Sequence, residues 1–274
     1  MRICVAGLWH LGSVTAGCLA AAGHEVTGFD PNPKVVTDLQ AGIPPLFEPG
    51  LEELIRQGLA RGSLRFTSDG ATAVAGAEIV WVTFDTPVDD EDNADVEFVV
   101  NNVAKLFPYM QPDTTVLISS QLPVGTTRRL EKSHSESRTG KHASFAYSPE
   151  NLRLGKAISV FSRPDRVVVG VRRAQDKSRI ETMLTPITDK IEWMAVESAE
   201  MTKHAINGFL ATSVVFANEI AVLCEAVGAN AQEVERGLKT DSRIGSKAYL
   251  GPGAAFAGGT LARDIAFLQK LGSD

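Results

Sequence analysis

Residues 1–30, MRICVAGLWHLGSVTAGCLAAAGHEVTGFD, decide the fold of this chain. A short apolar run at residues 3–6 leads into the glycine turn GLWHLG at residues 7–12, and small residues with helical spacing follow. A strand, a glycine-rich turn and a helix in this order open the βαβ unit that binds dinucleotides. The opening stretch therefore predicts an α/β fold with a dinucleotide site at its first turn.

The glycine turn departs from the pattern GxGxxG at its middle position. Gly7 and Gly12 supply the tight turn and the close helix–strand packing, but Trp9 stands where the backbone approaches a pyrophosphate. The helix that follows still presents N–H groups and the positive end of its dipole to an anion. We therefore predict a nucleotide site at this turn, with its surface altered by the side chain of Trp9. The predicted cofactor contacts are Gly7, Trp9, His10, Leu11 and Gly12.

The choice of cofactor is predicted from Asp30. This residue ends the second strand-like run, about 20 residues after the glycine turn, where a carboxylate binds ribose hydroxyls. Pro31 and Asn32 come next, and neither is an arginine that would bind a 2′-phosphate. The sequence therefore predicts NAD as the cofactor, in preference to NADP.

Strand-like and helical runs alternate over the first two-thirds of the chain. The strand-like runs lie at residues 3–6, 25–29, 79–83, 115–119, 144–147 and 166–171. The helical runs lie at residues 12–22, 49–61, 97–107 and 127–133, and the polar stretch 131–142 is typical of a solvated loop. This alternation predicts a Rossmann-type, doubly wound parallel sheet with helices on both faces.

The character of the sequence changes near residues 194–200. Residues 198–227 have the length and composition of one long helix, and helical runs at 230–238 and 261–271 flank the loop GPGAAFAGGT. We predict an NAD-binding domain over residues 1–196 and a smaller all-helical domain over residues 197–274. The long helix is apolar over much of its surface, so we expect a second copy to cover it and to form a homodimer.

Composition and charge exclude several classes of protein. The formal net charge is −6 at pH 7, which disfavours nucleic acid as a partner. Cys4, Cys18 and Cys224 lie in apolar runs, which indicates buried thiols in a reducing compartment and no metal site. We find no signal peptide and no run of eighteen apolar residues, and we expect a cytoplasmic protein without a membrane partner.

Several longer segments carry a resemblance to a known family. They are PPLFEPGLEELI (44–55), FDTPVDDEDNADVEFV (84–99), SSQLPVGTT (119–127), SPENLRLGKAI (148–158), RPDRVVVG (163–170), ESAEMTKHAINGFLATSVVFANEIAVLCEAVGA (197–229) and SRIGSKAYLGPG (242–253). In these segments the chain resembles the UDP-glucose/GDP-mannose dehydrogenase family. The resemblance implies a Rossmann domain, a helical domain that dimerises, and a third domain that binds the nucleotide of the sugar. The sequence stops at Asp274, about where this third domain is expected to begin, so the domain is absent from it; this is consistent with a piece of a longer chain and with a short relative.

The resemblance also implies a chemistry and a departure from it. Members of the family oxidise a sugar alcohol to a carboxylate with two NAD, through a thioester on a cysteine in a GGSCFPKD loop. This chain has GGTLARD at residues 258–264, so Thr260 or Leu261 occupies the cysteine position, and neither forms a thioester. Gln121 replaces a threonine of the family and Leu154 replaces a glutamate. We therefore expect the second oxidation to be impaired.

Four candidate catalytic residues remain: Glu150, Lys203, Asn207 and Asp264. Lys203 and Asn207 are four residues apart and share one helix face, where an ammonium and an amide can bind a substrate oxygen. Asp264 is predicted to orient Lys203 or a water molecule.

Two further residues complete the predicted sites. Thr86 and Gln121 are predicted to contact the cofactor. His204 follows Lys203 directly and so points about 100° away from it, which favours a structural role.

Three functions are consistent with this pattern. The first is an NAD-dependent oxidoreductase that acts on the CH–OH group of a nucleotide sugar. The second is a dehydrogenase of the 3-hydroxyacid type, which pairs a Rossmann domain with a helical domain and needs no cysteine. The third is a non-catalytic relative that binds a nucleotide or a partner and dimerises through residues 198–227. The extent of the family segments favours the first function over the second, whereas Trp9, Gln121, Leu154 and the missing cysteine favour the third.

Overall fold

The computed structural model describes residues 1–89, 93–137, 142–150, 152–255 and 259–273. The chain divides into two compact units. The first consists of Met1–Pro87 and Asp95–Met201, and the second of Val88–Ala94 and Thr202–Asp274.

The first unit is built on one sheet. Its strands among the described residues are β1 (Arg2–Ala6), β2 (Glu25–Phe29), β3 (Leu64–Thr67), β4 (Ile79–Val82), β5 (Thr114–Ile118), β6 (Ala143–Tyr147), β7 (Val167–Val171) and β8 (Ile191–Met194). Their order across the sheet is β3-β2-β1-β4-β5-β6-β7-β8, and each neighbouring pair is parallel except β6 and β7. The order reverses between β1 and β4, which is the switch point where doubly wound sheets bind ligands. The predicted Rossmann-type fold is confirmed.

Helices cover both faces of this sheet. They are α1 (His10–Ala21), α2 (Pro33–Gln40), α3 (Leu51–Arg61), α4 (Gly70–Val74), α5 (Val96–Ala104), α6 (Thr126–Glu136), α7 (Ala157–Ser162) and α8 (Lys177–Leu184). Side chains of β1 alternate between two cores, with Ile3 and Val5 in one and Cys4 and Ala6 in the other. A strand buried on both faces is apolar at every position, which explains the unbroken apolar runs in the sequence.

The three cysteines are buried and make no disulfide. Burial raises the pKa of the Cys4 thiol to about 12. Burial also raises the pKa of Cys18 to about 11. Thiols that stay protonated at neutral pH are poor nucleophiles, so these two residues belong to the core, as their apolar surroundings in the sequence predict.

Several elements differ from the sequence prediction. The strands β3 and β8 and the helices α2, α4, α7 and α8 were not predicted. The helix α6 continues to Glu136, so the predicted loop over residues 131–142 is wrong for its first half. The physical reason is His134, whose buried ring packs edge-on against Phe107 and lies next to Phe145. Residues 138–141 of that stretch lie outside the described residues.

Two glutamates join the start of the long helix α9 (Val196–Val227) to the first unit. The buried carboxylate of Glu200 accepts hydrogen bonds from the N–H of Gly125 at 2.7 Å and from the N–H and Oγ1 of Thr127 at 3.0 and 2.6 Å. These N–H groups lie at the start of α6, so Glu200 caps α6 although it belongs to another helix. Burial opposes the charge of Glu197, but hydrogen bonds from Arg172 and Arg128 outweigh this and lower its pKa to about 2.

The second unit is helical. It contains the greater part of α9 together with α10 (Ala231–Thr240) and α11 (Gly259–Ser273), close to the three predicted helices. Asn230 caps α10 by accepting the N–H of Gln232 at 2.9 Å. The absence of a side chain at Gly208 lets α11 approach α9, because a Cβ there would lie 3.1 Å from Leu268.

The helix α9 leaves a long apolar surface uncovered. Its exposed large side chains are Met201, Phe209, Val215, Phe216, Val222, Leu223 and Val227. Among the described helices, α9 is long and apolar enough to cross a membrane, with a mean hydropathy of 1.6 over 18 residues, of which 28% are buried. The sequence analysis did not anticipate this. The criterion is weak for a single helix, since core helices of water-soluble proteins also meet it.

Candidate functional site

Gly7 and Gly12 shape the turn between β1 and α1. Gly7 has a φ of +96°, which favours glycine, and a Cβ there would lie 2.5 Å from the backbone of Phe84. A Cβ on Gly12 would lie 1.7 Å from the carbonyl oxygen of Gly7. The Oγ1 of Thr83, which the sequence analysis missed, donates to that same carbonyl at 2.7 Å. The turn therefore requires glycine at both positions.

Trp9 occupies the middle of the turn without straining the backbone. Its φ of −68° and ψ of −158° lie in the extended region, which any residue adopts. The side chain is 48% exposed. The first intrahelical bond of α1 runs from the N–H of Ser13 to the carbonyl of Trp9, so the N–H groups of Leu11 and Gly12 precede the helical ladder. Trp9 adds a bulky side chain beside the turn, and it leaves at the start of α1 the unbonded N–H groups that can attract an anion.

Asp30 connects the end of β2 to this turn. One carboxylate oxygen accepts the N–H of Leu8 at 2.9 Å, and the other accepts the N–H of Asn32 at 2.9 Å. Each oxygen keeps further lone pairs for a hydroxyl donor. Asp30 thus has the position and the acceptor capacity that the ribose of a dinucleotide requires.

The loops after β4 and β5 bring two more predicted residues together. The buried Oγ1 of Thr86 donates to the carbonyl oxygen of Gln121 at 2.7 Å. Both loops lie at the carboxyl edge of the sheet, beside the switch point. Glu150 follows β6, and its carboxylate accepts the N–H of Leu152 at 2.8 Å.

The other predicted catalytic residues lie in the second unit, in a buried polar cluster on α9 and α11. Lys203 and Asn207 are buried one helical turn apart on α9, and Asp264 is fully buried on α11. The Nδ2 of Asn207 donates a hydrogen bond to Oδ2 of Asp264. Because a carboxylate only accepts, this bond sets the orientation of the Asn207 amide, with its oxygen directed away from Asp264.

His204 is a member of this cluster that the sequence analysis did not include. Its Nδ1 lies 2.6 Å from Oδ1 of Asp264, and its ring is fully buried and packs edge-on against Phe267. Both oxygens of Asp264 are therefore engaged by side chains, which makes this residue the anchor of the cluster. No spacing in the sequence indicates that His204 binds Asp264, because the two residues are 60 positions apart. Only the packing of α11 against α9 brings them together.

The described residues contain no group of three or more His, Cys, Asp or Glu side chains placed to hold a metal ion. Of the acidic run at residues 89–92, Asp89 accepts the side-chain and backbone N–H of Asn93. The other members of the run lie outside the described residues.

Sequence models of two domains match the chain. The NAD binding domain of the UDP-glucose/GDP-mannose dehydrogenase family matches residues 1–188, and the central domain of that family matches residues 197–274. The chain belongs to the UDP-glucose/GDP-mannose dehydrogenase family. The resemblance found in the sequence is confirmed, and so is the predicted cofactor, NAD.

Individual relatives agree with the family assignment. A UDP-glucose 6-dehydrogenase of Rhizobium meliloti is 36% identical over 280 residues, which cover 100% of this chain and 64% of the relative. A solved UDP-glucose dehydrogenase from Pyrobaculum islandicum has a TM-score of 0.92 at 32% identity, over 99% of this chain and 64% of that one. The chain thus spans less than two-thirds of the length of these dehydrogenases.

A more distant likeness concerns the fold alone. A 3-hydroxyisobutyrate dehydrogenase of Mycobacterium tuberculosis has a TM-score of 0.72 at 20% identity, over 99% of this chain and 86% of that one.

The residues of the turn fit the NAD of the family. The glycines at positions 7 and 12 leave the space that side chains would fill, Asp30 offers acceptors for ribose hydroxyls, and Trp9 leaves the backbone unstrained. The loop in which the family has its cysteine lies partly outside the described residues, at 256–258. Leu261 lies in the first turn of α11, three residues before Asp264.

Proposed function

We propose that this chain is an NAD-dependent oxidoreductase that acts on the CH–OH group of a nucleotide sugar and is impaired in the cysteine-dependent second oxidation. The observation that supports this most directly is the buried cluster of Lys203, Asn207 and Asp264 in a family member with Thr260 or Leu261 at the cysteine position. The first oxidation needs an oxygen-binding group and a cofactor, whereas the second needs a thiolate.

Each residue of the cluster has a role in this proposal. The ammonium of Lys203 binds the substrate oxygen and stabilises the alkoxide that develops as the alcohol loses its proton. Asn207, whose amide is oriented by its hydrogen bond to Asp264, makes a second hydrogen bond to that substrate oxygen and fixes its position. Asp264 orients Asn207 and binds His204, and the lone pairs that remain on its oxygens leave it able to orient Lys203 or a water molecule as well. Glu150 is retained as the fourth candidate, at the end of β6.

The cofactor site combines the turn with the neighbouring loops. The proposed NAD contacts are Gly7, Trp9, His10, Leu11, Gly12, Asp30, Thr86 and Gln121. The N–H groups at the start of α1 bind the pyrophosphate, and Asp30 binds the ribose. When bound, NAD takes up the hydride of the alcohol carbon.

Replacing Asp30 by alanine is expected to weaken NAD binding by about ten- to a hundredfold. The variant loses a charged acceptor for the ribose and leaves the N–H of Leu8 without its partner. Calorimetric titration of NAD into both proteins measures the change. Replacing Glu25, an exposed residue at the other end of β2, by alanine is the matched control and leaves the affinity unchanged.

The outcome of this titration separates the classes of function. Saturable binding that weakens in Asp30→Ala supports the two oxidoreductase functions. If the wild-type protein fails to bind NAD at millimolar concentration, the proposed site is contradicted and the non-catalytic relative is favoured. That alternative is also supported by the bulk of Trp9 and by the replaced residues Gln121 and Leu154. A 3-hydroxyacid-type dehydrogenase is the alternative enzyme, tested by offering 3-hydroxyisobutyrate beside UDP-glucose.

We also propose that the protein is a cytoplasmic homodimer, joined through residues 198–227, with domains at 1–196 and 197–274 and with no nucleic-acid or membrane partner. The exposed apolar side chains of α9 support the dimer, because such a surface is unfavourable in water. Size-exclusion chromatography with light scattering is expected to give twice the mass of one chain. A monomer at micromolar concentration contradicts this proposal, and recovery with membranes instead of the soluble fraction contradicts the predicted location.

A further inference from the structure

We propose that His204 is a positioning residue of the catalytic cluster, which fixes the orientation of Asn207 through Asp264. The inference rests on the proposed function and adds to it a residue for which the sequence predicted a structural role. All three side chains belong to the second unit, with His204 and Asn207 on α9 and Asp264 on α11. Because His204 and Asn207 are three residues apart, their side chains are neighbours on one face of α9.

The carboxylate of Asp264 bridges these two neighbours. Its Oδ1 lies 2.6 Å from Nδ1 of His204, and its Oδ2 accepts a hydrogen bond from Nδ2 of Asn207. The torsion that turns a carboxylate about its Cβ–Cγ bond is broad, so one hydrogen bond does not fix the plane of the group. Two hydrogen bonds to different oxygens do fix it, and His204 supplies one of them.

The direction of the bond from His204 follows from the chemistry of its partner. A carboxylate only accepts, so the hydrogen of this bond is on Nδ1, in a neutral ring as well as in a protonated one. Both His204 and Asp264 are fully buried. A buried carboxylate is stable only where donors replace the water that it has lost. The inference therefore needs the donor at Nδ1 and no particular charge on the ring.

The ring of His204 is itself held by packing. It lies edge-on to the ring of Phe267, with the ring centroids 5.5 Å apart and the planes at 84°. Phe267 comes three residues after Asp264 on α11, so one helix carries both the acceptor and the aromatic contact. A donor that packing holds in one orientation also holds its acceptor in place.

Two other buried histidines show the contacts of a purely structural role. Nε2 of His24 lies 2.9 Å from the backbone carbonyl oxygen of Met183, and the ring of His134 packs among aromatic side chains. His204 differs from both, because its partner is a side chain that orients a proposed catalytic residue. A change at His204 therefore reaches Asn207 as well as the core.

Loss of the donor at Nδ1 is expected to lower kcat and to leave the binding of NAD unchanged. Without this donor the carboxylate of Asp264 turns, and the amide of Asn207 can turn over and exchange its oxygen for its NH2 group. The hydrogen bond from Asn207 to the substrate oxygen contributes most when negative charge develops on that oxygen, so its misalignment affects the transition state. None of these residues is among the proposed NAD contacts.

The test compares two variants of the whole chain at one position. His204→Leu has no donor, whereas His204→Asn carries its amide nitrogen on Cγ, the atom that carries Nδ1 in histidine. Both variants lose the ring contact with Phe267, so the comparison isolates the hydrogen bond. With NAD and either UDP-glucose or GDP-mannose, we expect kcat to fall about tenfold or more in His204→Leu and to stay within about threefold of the wild type in His204→Asn. The KM for NAD is expected to be unchanged in both.

Two further variants separate positioning from packing. Phe267→Leu keeps an apolar side chain against the ring and leaves the donor in place, so this matched control is expected to retain kcat within about threefold. In the background Asp264→Ala, the added change His204→Leu is expected to alter kcat by less than about twofold, because the ring acts only through that carboxylate. Effects of His204→Leu and Asp264→Ala that multiply contradict the inference.

The outcomes distinguish this inference from the proposed function. If His204→Leu keeps kcat within about twofold of an active wild type, or if His204→Asn loses as much as His204→Leu, the inference is wrong although the proposed function stands. If His204→Leu does not fold, His204→Gln takes its place, because its amide nitrogen stands one bond further from Cγ and kcat is expected to fall. A wild type that forms no NADH with either sugar overturns the proposed function and the inference together.

Discussion

Replacing Lys203 by alanine is expected to lower the rate of NADH formation from a nucleotide sugar by about a hundredfold or more. The ammonium is buried on α9, one turn from Asn207, where no water molecule can supply the same charge at the substrate oxygen. The measurement is the absorbance of NADH with UDP-glucose and with GDP-mannose as substrates. The NAD affinity of the variant is expected to match that of the wild type, because Lys203 is proposed to bind the substrate oxygen and is not among the proposed NAD contacts.

The same assay tests the impaired second oxidation. Each substrate alcohol loses a hydride to NAD and a proton to solvent, so the wild type is expected to form one NADH per sugar and an aldehyde that a hydrazine traps. Lys132→Ala, at an exposed lysine of α6, is the matched control and retains full activity. Two NADH per sugar contradict the proposed impairment, and unchanged turnover in Lys203→Ala contradicts the catalytic role.

Replacing Gly12 by alanine is expected to lower the free energy of unfolding by about 3 kcal/mol or more and to abolish NAD binding. The new Cβ would lie 1.7 Å from the carbonyl oxygen of Gly7 and 2.8 Å from Oγ1 of Thr83. Since one of these atoms belongs to the backbone of the turn, α1 must move away from β1 to relieve the clash. Denaturant unfolding and NAD titration measure the two effects.

Gly17→Ala is the matched control in the same helix. Gly17 is also buried, but a Cβ there would lie 3.5 Å from the nearest side-chain atom, which is ordinary contact. Alanine in a helix interior is favoured over glycine by up to about 1 kcal/mol, so this variant is expected to be as stable as the wild type or more so. Equal stability of Gly12→Ala and Gly17→Ala contradicts the close approach of α1 to the turn.

Much of the first unit was predictable because its signals are local. The run at residues 3–6, the glycines at 7 and 12 and the acid at 30 each follow from the chemistry of one strand, one turn and one strand end. Helix α6 shows the limit of such reasoning. Its polar second half has the composition of a loop, yet the contact of His134 with Phe107 keeps it helical. A contact between residues 27 positions apart leaves no periodic signal in the sequence.

By itself, the sequence determined the α/β class and the NAD preference, because these depend on residue type and short spacing. The missing cysteine followed only from the resemblance of the sequence to its family. Only the tertiary structure decided which side chains meet. Glu200 caps a helix that begins 74 residues earlier in the chain, Glu48 meets His10, and Asp264 binds both His204 and Asn207. The physical reason is that hydrogen bonds between buried groups form wherever packing removes water, and packing brings together residues that are distant in the chain.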